Sequence, residues 1–319
     1  MNNAMPRQAS LIQTHDLSKH FGTLVAVDRL NLEVDHGQIF GLVGPDGAGK
    51  TTTLRLLTGL IAPTAGDARV IDSHLSDSSF ETVRERLGYM PQKPGLYRDL
   101  GVEENLLFYS QLFGLPDKVR DERMVRLLDM THMEPFRRRR AGQLSGGMQQ
   151  KLSLMCALLH QPEILFLDEP TTGVDPVSRR DFWKILYRLV RDGLTVLVTT
   201  SYLDEAERCH RVGLMHRGRL ILCDAPEALA NHLQEVCYRV ECPNPRAARA
   251  VFNSSSGVLS VEPSGKSLHL FLSPALTSAA RLEERLDEVG LGPSRWTPLN
   301  PGLEDVFIAL IRKQSGQTS

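Results

Sequence analysis

The 319-residue chain has almost no net charge, no closely spaced cysteine pair and no long apolar segment. Lys and Arg number 37 against 38 Asp and Glu, which argues against nucleic-acid binding because such domains carry a basic excess. Its five cysteines form no C-x-x-C pair, so we expect reduced thiols in a cytoplasmic protein rather than a disulfide framework or zinc site. Met1–Ser10 lacks the apolar core of a secretory signal. No apolar run approaches the ~20 residues that cross a bilayer, so another chain must supply any membrane-spanning part.

The length of the chain suits one large domain followed by a small one. Apolar residues make up 41% and charged residues 24%, as in ordinary globular proteins with a buried core. We predict an N-terminal tail over residues 1–10, a large domain over residues 11–233 and a small accessory domain over residues 234–319.

The large domain alternates short apolar runs with helical segments. The runs that predict buried strands are Gln38–Val43, Ile164–Leu167 and Leu194–Val198. The helical segments include Val102–Phe113 and Arg179–Arg191. This alternation predicts an α/β fold with a parallel sheet covered by helices on both faces. Gly114–Arg140 also has a helical, polar pattern, and we interpret its final run Arg137–Arg140 as a solvated helix end rather than a lipid or partner contact.

The small domain has a different order of predicted elements. Strands are expected at Val236–Glu241, Val258–Glu262, Ser267–Leu272 and Arg295–Leu299, and helices at Pro245–Phe252, Ala279–Val289 and Leu303–Arg312. Up to the last helix, the order β-α-β-β-α-β is that of a ferredoxin-like α+β domain.

A phosphate-binding loop follows the first of the predicted buried strands. Residues 44–51 match the pattern G-x-x-x-x-G-K-[S/T], and Thr51–Gly59 predicts a helix directly after the loop. Glycines expose backbone N–H groups to phosphate oxygens, and the start of the helix adds its positive dipole end. Lys50 can reach the β- and γ-phosphates, while the Thr51 hydroxyl can bind Mg²⁺. The predicted binding residues of the loop are Gly44, Pro45, Asp46, Gly47, Ala48, Gly49, Lys50, Thr51 and Thr52.

Two acidic residues end the predicted strand Ile164–Leu167. Parallel strands of open sheets end at the ligand crevice, which favours a functional role for the two acids over the alternative that they only close the strand at the surface. Asp168 is placed to hold Mg²⁺, directly or through water. Glu169 is the predicted catalytic group that orients or deprotonates the attacking water.

The segment Leu144-Ser145-Gly146-Gly147-Met148-Gln149-Gln150 resembles the signature of the ABC ATPase family of P-loop proteins. Three further residues match family motifs in the expected order. Phe21 corresponds to the aromatic residue that stacks on adenine, Gln92 to the Q-loop glutamine that contacts Mg²⁺ and water, and Asp175 to the D-loop aspartate. The resemblance covers about Leu11 to Leu229 and implies a P-loop α/β core, an antiparallel β subdomain and a helical subdomain.

The resemblance implies a site shared by two domains. The signature residues Ser145, Gly146 and Gly147 lie at a predicted helix start and offer N–H donors and a helix dipole to a phosphate. In the family they bind the ATP held by the opposite domain, so ATP would be sandwiched between Lys50 of one domain and Ser145 of the other. The implied partner is a second nucleotide-binding domain, from a second copy or a paralogue.

Segments outside these motifs resemble one branch of the family. Thr171–Arg180, Leu203–Glu207 and Pro301–Phe307 look like the ABC-2-type exporters, which include drug and antibiotic resistance pumps. The resemblance implies an ATP-hydrolysing subunit on the inner face of the membrane, attached to a membrane-spanning permease. A soluble ABC protein without a permease is the alternative, although such proteins usually carry two ATPase halves or a long coiled coil. An importer subunit is a third possibility.

The chain departs from the family pattern at two positions. Ser201 stands where the family usually has a histidine that touches the γ-phosphate. A serine hydroxyl can still form that hydrogen bond but does not titrate near neutrality, so we expect an active but altered site in which Ser201 takes part. Asp46 stands where asparagine is more usual, and we expect its side chain to point away from the phosphates.

Overall fold

The structure is a computed structural model that describes residues 10–233, 235–274 and 279–316. The chain divides into two compact units between Ala225 and Pro226. This division lies just ahead of the predicted domain boundary after residue 233, and the extent of each independently folding domain stays a prediction. Within the described residues, no helix is both long and apolar enough to cross a membrane.

The first unit contains eleven strands and seven helices among its described residues. Its strands are β1 (Ser10–Phe21), β2 (Leu24–Leu30), β3 (Glu33–Asp35), β4 (Ile39–Val43), β5 (Ala65–Val70), β6 (Ser73–His74), β7 (Leu87–Met90), β8 (Ile164–Asp168), β9 (Thr195–Thr200), β10 (Arg211–His216) and β11 (Arg219–Asp224). Its helices are α1 (Lys50–Leu57), α2 (Phe80–Arg84), α3 (Val102–Leu112), α4 (Asp117–Thr131), α5 (Gly146–Leu158), α6 (Pro176–Arg191) and α7 (Leu203–Ala206).

Two sheets organise this unit. The antiparallel sheet has the order β2-β1-β5-β6, with β3 paired to β1. The second sheet has the order β11-β10-β4-β9-β8-β7 and is parallel except for its edge strand β11. A P-loop α/β core with an antiparallel β subdomain is thus confirmed.

The register of the parallel sheet gathers the predicted functional residues at one edge. Every residue of β4, β8 and β9 is buried, as their continuous apolar sequences predicted. Val43 pairs with Thr200, and Asp168 pairs with Thr199, so the three central strands end side by side. The phosphate loop, the two acids and Ser201 therefore all leave the sheet at its carboxyl edge, where ligands of such sheets bind.

Helices α3, α4 and α5 pack together as the helical subdomain, but the arginine run within it was predicted wrongly. Helix α4 ends at Thr131, and His132 adopts a left-handed conformation with φ of 56°. The run Arg137–Arg140 follows a single 3-10 turn, Glu134–Phe136, and does not end an α-helix. Its backbone caps α3 instead, because the carbonyl oxygens of Arg137 and Arg139 accept hydrogen bonds from the first N–H groups of that helix, each at 3.0 Å.

The second unit contains four strands and four helices among its described residues. They are α8 (Pro226–Leu229), β12 (Val236–Glu241), α9 (Pro245–Asn253), β13 (Val258–Ser264), β14 (Ser267–Leu272), α10 (Ala280–Glu288), β15 (Arg295–Pro298) and α11 (Leu303–Gly316). The strands form one antiparallel sheet in the order β13-β14-β12-β15, which is the ferredoxin-like arrangement that the element order predicted. The predicted N-terminal tail over residues 1–10 lies outside the described residues, except for Ser10, which begins β1.

Candidate functional site

The phosphate loop packs so tightly that two of its glycines cannot be replaced. A Cβ atom at Gly44 would overlap the carbonyl oxygen of Met215, and one at Gly49 would overlap the carbonyl oxygen of Ala26. Gly49 also has a φ of 105°, which L side chains rarely adopt. It precedes α1, which begins without a side-chain cap, so the first N–H groups of that helix are free to meet an anion.

Lys50 is almost fully buried, with 4% of its surface exposed, and its ammonium group is held by three acceptors. It donates hydrogen bonds to the carbonyl oxygens of Gly44 (2.7 Å) and Pro45 (3.1 Å). Its Nζ also lies 3.1 Å from Oε1 of Glu169. The loop carbonyls therefore fix the ammonium group beside the predicted catalytic carboxylate, where a phosphate oxygen can compete for it.

Glu169 is held from several directions. Gln92 donates from Nε2 to Oε2 of Glu169 at 3.0 Å, and the Thr172 hydroxyl donates to the same oxygen at 3.3 Å. The Glu169 N–H group donates to the Thr199 hydroxyl at 3.0 Å. Its backbone has a φ of 47°, an uncommon conformation for a residue other than glycine that is often found at functional sites. The carboxylate is thus oriented by its neighbours rather than by solvent.

Hard oxygen donors suited to Mg²⁺ lie beside the phosphate loop. The hydroxyl groups of Thr51 and Thr199 donate to Oδ1 of Asp168 at 2.9 and 2.8 Å. Asp168 itself is 1% exposed. Oxygen atoms of a carboxylate and a threonine hydroxyl are ligands that Mg²⁺ prefers, usually together with waters and substrate phosphates. The donor set therefore fits the predicted ion.

An open cleft of about 570 Å³ joins these residues to an apolar wall. Most of the predicted binding residues line it, and its full lining is Phe21, Leu24, Val25, Ala26, Asp46, Gly47, Ala48, Gly49, Lys50, Thr51, Thr52, Gln92, Glu169, Thr172, Ser201 and Tyr202. Phe21, Leu24 and Val25 remain 50%, 64% and 42% exposed, which is unusual for apolar side chains on a strand. This wall matches the flat, apolar face of a nucleobase.

The structure brings Ser201 into the same cleft, directly after the end of β9. Its neighbour Tyr202 also lines the cleft, with the Arg179 guanidinium group 4.6 Å from its ring centroid. The position of Ser201 is compatible with contact to a terminal phosphate. Its catalytic role stays a prediction.

The signature residues and Asp175 stand apart from this cleft and are not among its lining residues in the described chain. Ser145 caps α5, and its hydroxyl oxygen accepts from the Met148 N–H group at 3.3 Å. Asp175 caps α6 in the same way, and the N–H group of Ser178 lowers the pKa of its carboxyl group. The predicted helix start at the signature is confirmed, but one chain does not unite both halves of the predicted ATP site.

Sequence reasoning missed several residues of the site. Leu24, Val25, Thr172 and Tyr202 line the cleft but were not predicted as site residues. Two apolar residues shortly after Phe21, at the start of the next strand, were an available signal for the wall. A second omission is the buried carboxylate of Glu205 behind the cleft, which bonds to the hydroxyl groups of Thr171 and Thr200.

Comparisons with known sequences agree with this geometry. The sequence profile of the ABC transporter family matches residues 27–172. The chain is 44% identical over 220 residues to the probable multidrug ABC transporter ATP-binding protein YbhF of Escherichia coli (strain K12), covering 69% of this chain but only 38% of that protein. It is 37% identical over 312 residues to the Nod factor export ATP-binding protein I of Paraburkholderia xenovorans (strain LB400), covering 97% of this chain and 99% of the relative.

Solved structures resemble about two thirds of the chain. An ATP-binding subunit of an ABC transporter matches with a TM-score of 0.62 and 29% identity, over 69% of this chain and 92% of that one. A dimeric, post-hydrolysis state of the ATP-binding cassette MJ0796, bound to ADP and Pi, matches with a TM-score of 0.60 and 26% identity, over 67% and 98%. From its sequence, fold and phosphate-loop site, the chain belongs to the ABC transporter family, as an ATP-hydrolysing, ATP-binding subunit.

Proposed function

We propose that this chain powers an ABC-2-type membrane exporter by ATP-driven closure onto a second nucleotide-binding domain. The observation that carries the proposal is the alignment to the Nod factor export protein, which runs through both compact units and covers 97% of the chain. The name of the E. coli relative, a probable multidrug ABC transporter protein, points to the same exporter branch.

Within one chain, the residues divide into binding and hydrolytic groups. Lys50 and the loop N–H groups hold the phosphates, while Phe21, Leu24 and Val25 offer the adenine its apolar wall. Glu169, oriented by Gln92 and Thr172, takes the role of the base that acts on the attacking water. Thr51 and Asp168, with Gln92, would hold Mg²⁺, which supplies charge neutralisation to the phosphates when bound.

The separation of the signature from the cleft supports closure between two domains. Ser145 and Gly146 are exposed, and they stand with the start of α5 and its helix dipole outside the lining of the Lys50 cleft. A second domain would bring its signature over the ATP held here, so that one ATP contacts both domains. Hydrolysis would weaken these contacts. ATP binding and release would thus drive a two-state closure.

The test of the exporter assignment is purification of the tagged full chain from native membranes, followed by identification of the co-purifying chains. We expect a permease with several spans of ~20 apolar residues each to co-purify with this chain, which it would hold at the inner face of the membrane. Recovery of ribosomes or DNA without a membrane protein would favour the soluble alternative. A permease recovered together with a solute-receptor chain would favour the importer.

Ser201 offers a test of the altered site. Ser201→Ala is expected to lower ATP turnover by up to about tenfold, because it removes a neutral hydrogen bond of about 0.5–1.5 kcal/mol. Ser201→His is expected to hydrolyse ATP at least as fast as the natural protein, since a donor that can be charged stabilises the charge on the transferring phosphoryl group. Its rate should also change with pH near the imidazole pKa of about 6.5.

Steady-state ATPase measurements of the three proteins across pH, with the permease present, check this prediction. A slower Ser201→His variant would indicate that the cleft has closed around the smaller side chain. If both substitutions leave the rate and the pH profile unchanged, Ser201 does not contact the nucleotide.

We further propose that the large and small domains fold independently. Removal of residues 236–319 is expected to leave a folded chain that binds ATP, because every nucleotide motif precedes that segment. We expect the truncated chain to dimerise more weakly or to couple less well to the permease. Circular dichroism and ATP titration check the prediction. An insoluble fragment would mean that the domain boundary lies elsewhere. A second truncation, at the structural division after Ala225, provides the comparison.

A further inference from the structure

Glu205 is a buried carboxylate that none of the nucleotide motifs explains. It lies on the short helix α7 with 1% of its surface exposed. Its Oε1 accepts a hydrogen bond from the Thr171 hydroxyl, and its Oε2 accepts one from the Thr200 hydroxyl at 2.8 Å. The Nε atom of Arg179 lies 3.4 Å from Oε1. A buried charge is costly unless it is paired and hydrogen-bonded, and here both oxygens have partners.

The two threonines belong to the two loops that face the cleft. Thr171 follows Glu169 by two residues. Thr200 is the last residue of β9 and directly precedes Ser201, and its hydroxyl oxygen also accepts from the Tyr202 N–H group at 3.0 Å. One carboxylate therefore bridges the loop of the predicted base and the loop of the predicted γ-phosphate contact.

The third partner connects this bridge to a different part of the fold. Arg179 lies in the first turn of α6, the helix that Asp175 caps. Its guanidinium group also lies 3.6 Å from Asp204 and stacks on the ring of Tyr202, which lines the cleft. A movement of the D-loop at Asp175 would therefore shift Arg179 and, through it, both loops that Glu205 holds.

We propose that Glu205 is a positioning residue for ATP hydrolysis, which fixes the Glu169 loop and the Ser201 loop at their working separation and ties both to α6. This inference rests on the proposed roles of those loops. Its partners in the described part of the chain are Thr171, Thr200 and Arg179, none of which belongs to the phosphate loop, so we expect Glu205 to act on turnover rather than on binding. Misplacement of reacting groups by about 1 Å is enough to slow a reaction roughly 100-fold.

Glu205→Gln tests the role with little change in shape. A glutamine has one acceptor oxygen and one amide group, so one of the two threonine hydroxyls must turn round to accept instead of donate, and the negative charge toward Arg179 is lost. We expect kcat of the full chain to fall by about 10- to 100-fold. The KM for ATP and the Kd for a non-hydrolysable Mg–ATP analogue should change less than about twofold, because a lost positioning contact acts on the reacting geometry rather than on uniform binding.

Glu207→Gln is the matched control, since Glu207 is an exposed acid two residues further along the chain. It should retain the natural kcat. Glu205→Ala is a second variant that removes the carboxylate altogether. If it does not fold, Glu205→Gln alone tests the proposal, with its melting temperature and its affinity for the ATP analogue measured alongside kcat. A Glu205→Gln variant that loses analogue affinity in parallel with kcat would reveal a merely structural role and overturn the proposal.

Glu169→Gln, assayed in parallel, separates this inference from the proposed site. If Glu169→Gln is inactive while Glu205→Gln hydrolyses ATP normally, only the role of Glu205 is overturned. If Glu169→Gln itself hydrolyses ATP normally, the site assignment fails and the inference falls with it. Loss of kcat in both variants, with analogue binding retained, supports the proposal.

Discussion

Glu169→Gln is expected to lower ATP turnover by at least about 100-fold while leaving ATP binding intact. The amide keeps the shape of the side chain and can still bond to its neighbours, but it cannot accept the proton of the attacking water. The carboxylate lies 3.1 Å from the Lys50 ammonium group and 3.0 Å from the Gln92 amide, so its orientation is set before the substrate arrives. Turnover is measured as phosphate release, and binding by calorimetry.

The same variant should accumulate as an ATP-bound dimer, because closure proceeds while hydrolysis does not. Size-exclusion chromatography with ATP and Mg²⁺ tests this. Glu122→Gln, an exposed acid on α4, is the matched control and should elute like the natural protein. Hydrolysis by Glu169→Gln near the natural rate would show that another group acts as the base.

Lys50→Ala is expected to weaken ATP binding by about 10- to 100-fold, the loss that corresponds to a charge-assisted hydrogen bond of about 1.5–3 kcal/mol. Lys50 is the only cation in the phosphate loop, and the carbonyl oxygens of Gly44 and Pro45 hold it in place. Calorimetric titration with ATP measures the effect. An unchanged affinity would contradict the assignment of the loop.

The lysine substitution should also destabilise the nucleotide-free protein. Lys50 and Glu169 are both almost fully buried, and removing one partner leaves the other as an unpaired buried charge. The double variant Lys50→Ala, Glu169→Gln removes both charges, so we expect it to melt at a higher temperature than Lys50→Ala alone. It should not recover ATP binding, and this contrast separates lost stability from lost recognition.

The parts of the fold that the sequence predicted are those set by local pattern. The continuous apolar run Ile164–Leu167 became the buried strand β8, and the glycine-rich loop opened α1 as expected. The four strands of the small domain were predicted for the same reason, since turn residues separate their apolar alternations.

What the sequence did not predict depends on contacts between distant segments. The arginine run has a solvated, helical composition, but tertiary hydrogen bonds to the start of α3 decide its conformation. The segment Leu203–Glu207 was noted only for its resemblance, and the role of Glu205 within it was not predicted, because its partners Thr171 and Arg179 lie far from it in the chain. The exposed residues Leu24 and Val25 likewise could not be assigned to the site from the sequence, because only the folded sheet places them beside the phosphate loop.

The strand order also dictates when this protein can first bind its substrate during synthesis. Strand β4, which carries the phosphate loop, is paired on one side with β9 and on the other with β10. Both partners are translated more than 150 residues later, which at ~5–20 residues per second means a delay of about 8 to 30 s. Until Arg211–His216 has emerged from the ribosome, β4 has no completed sheet. Nucleotide can therefore stabilise the finished domain but cannot guide its early folding, and the nascent chain must keep an apolar strand soluble for that interval.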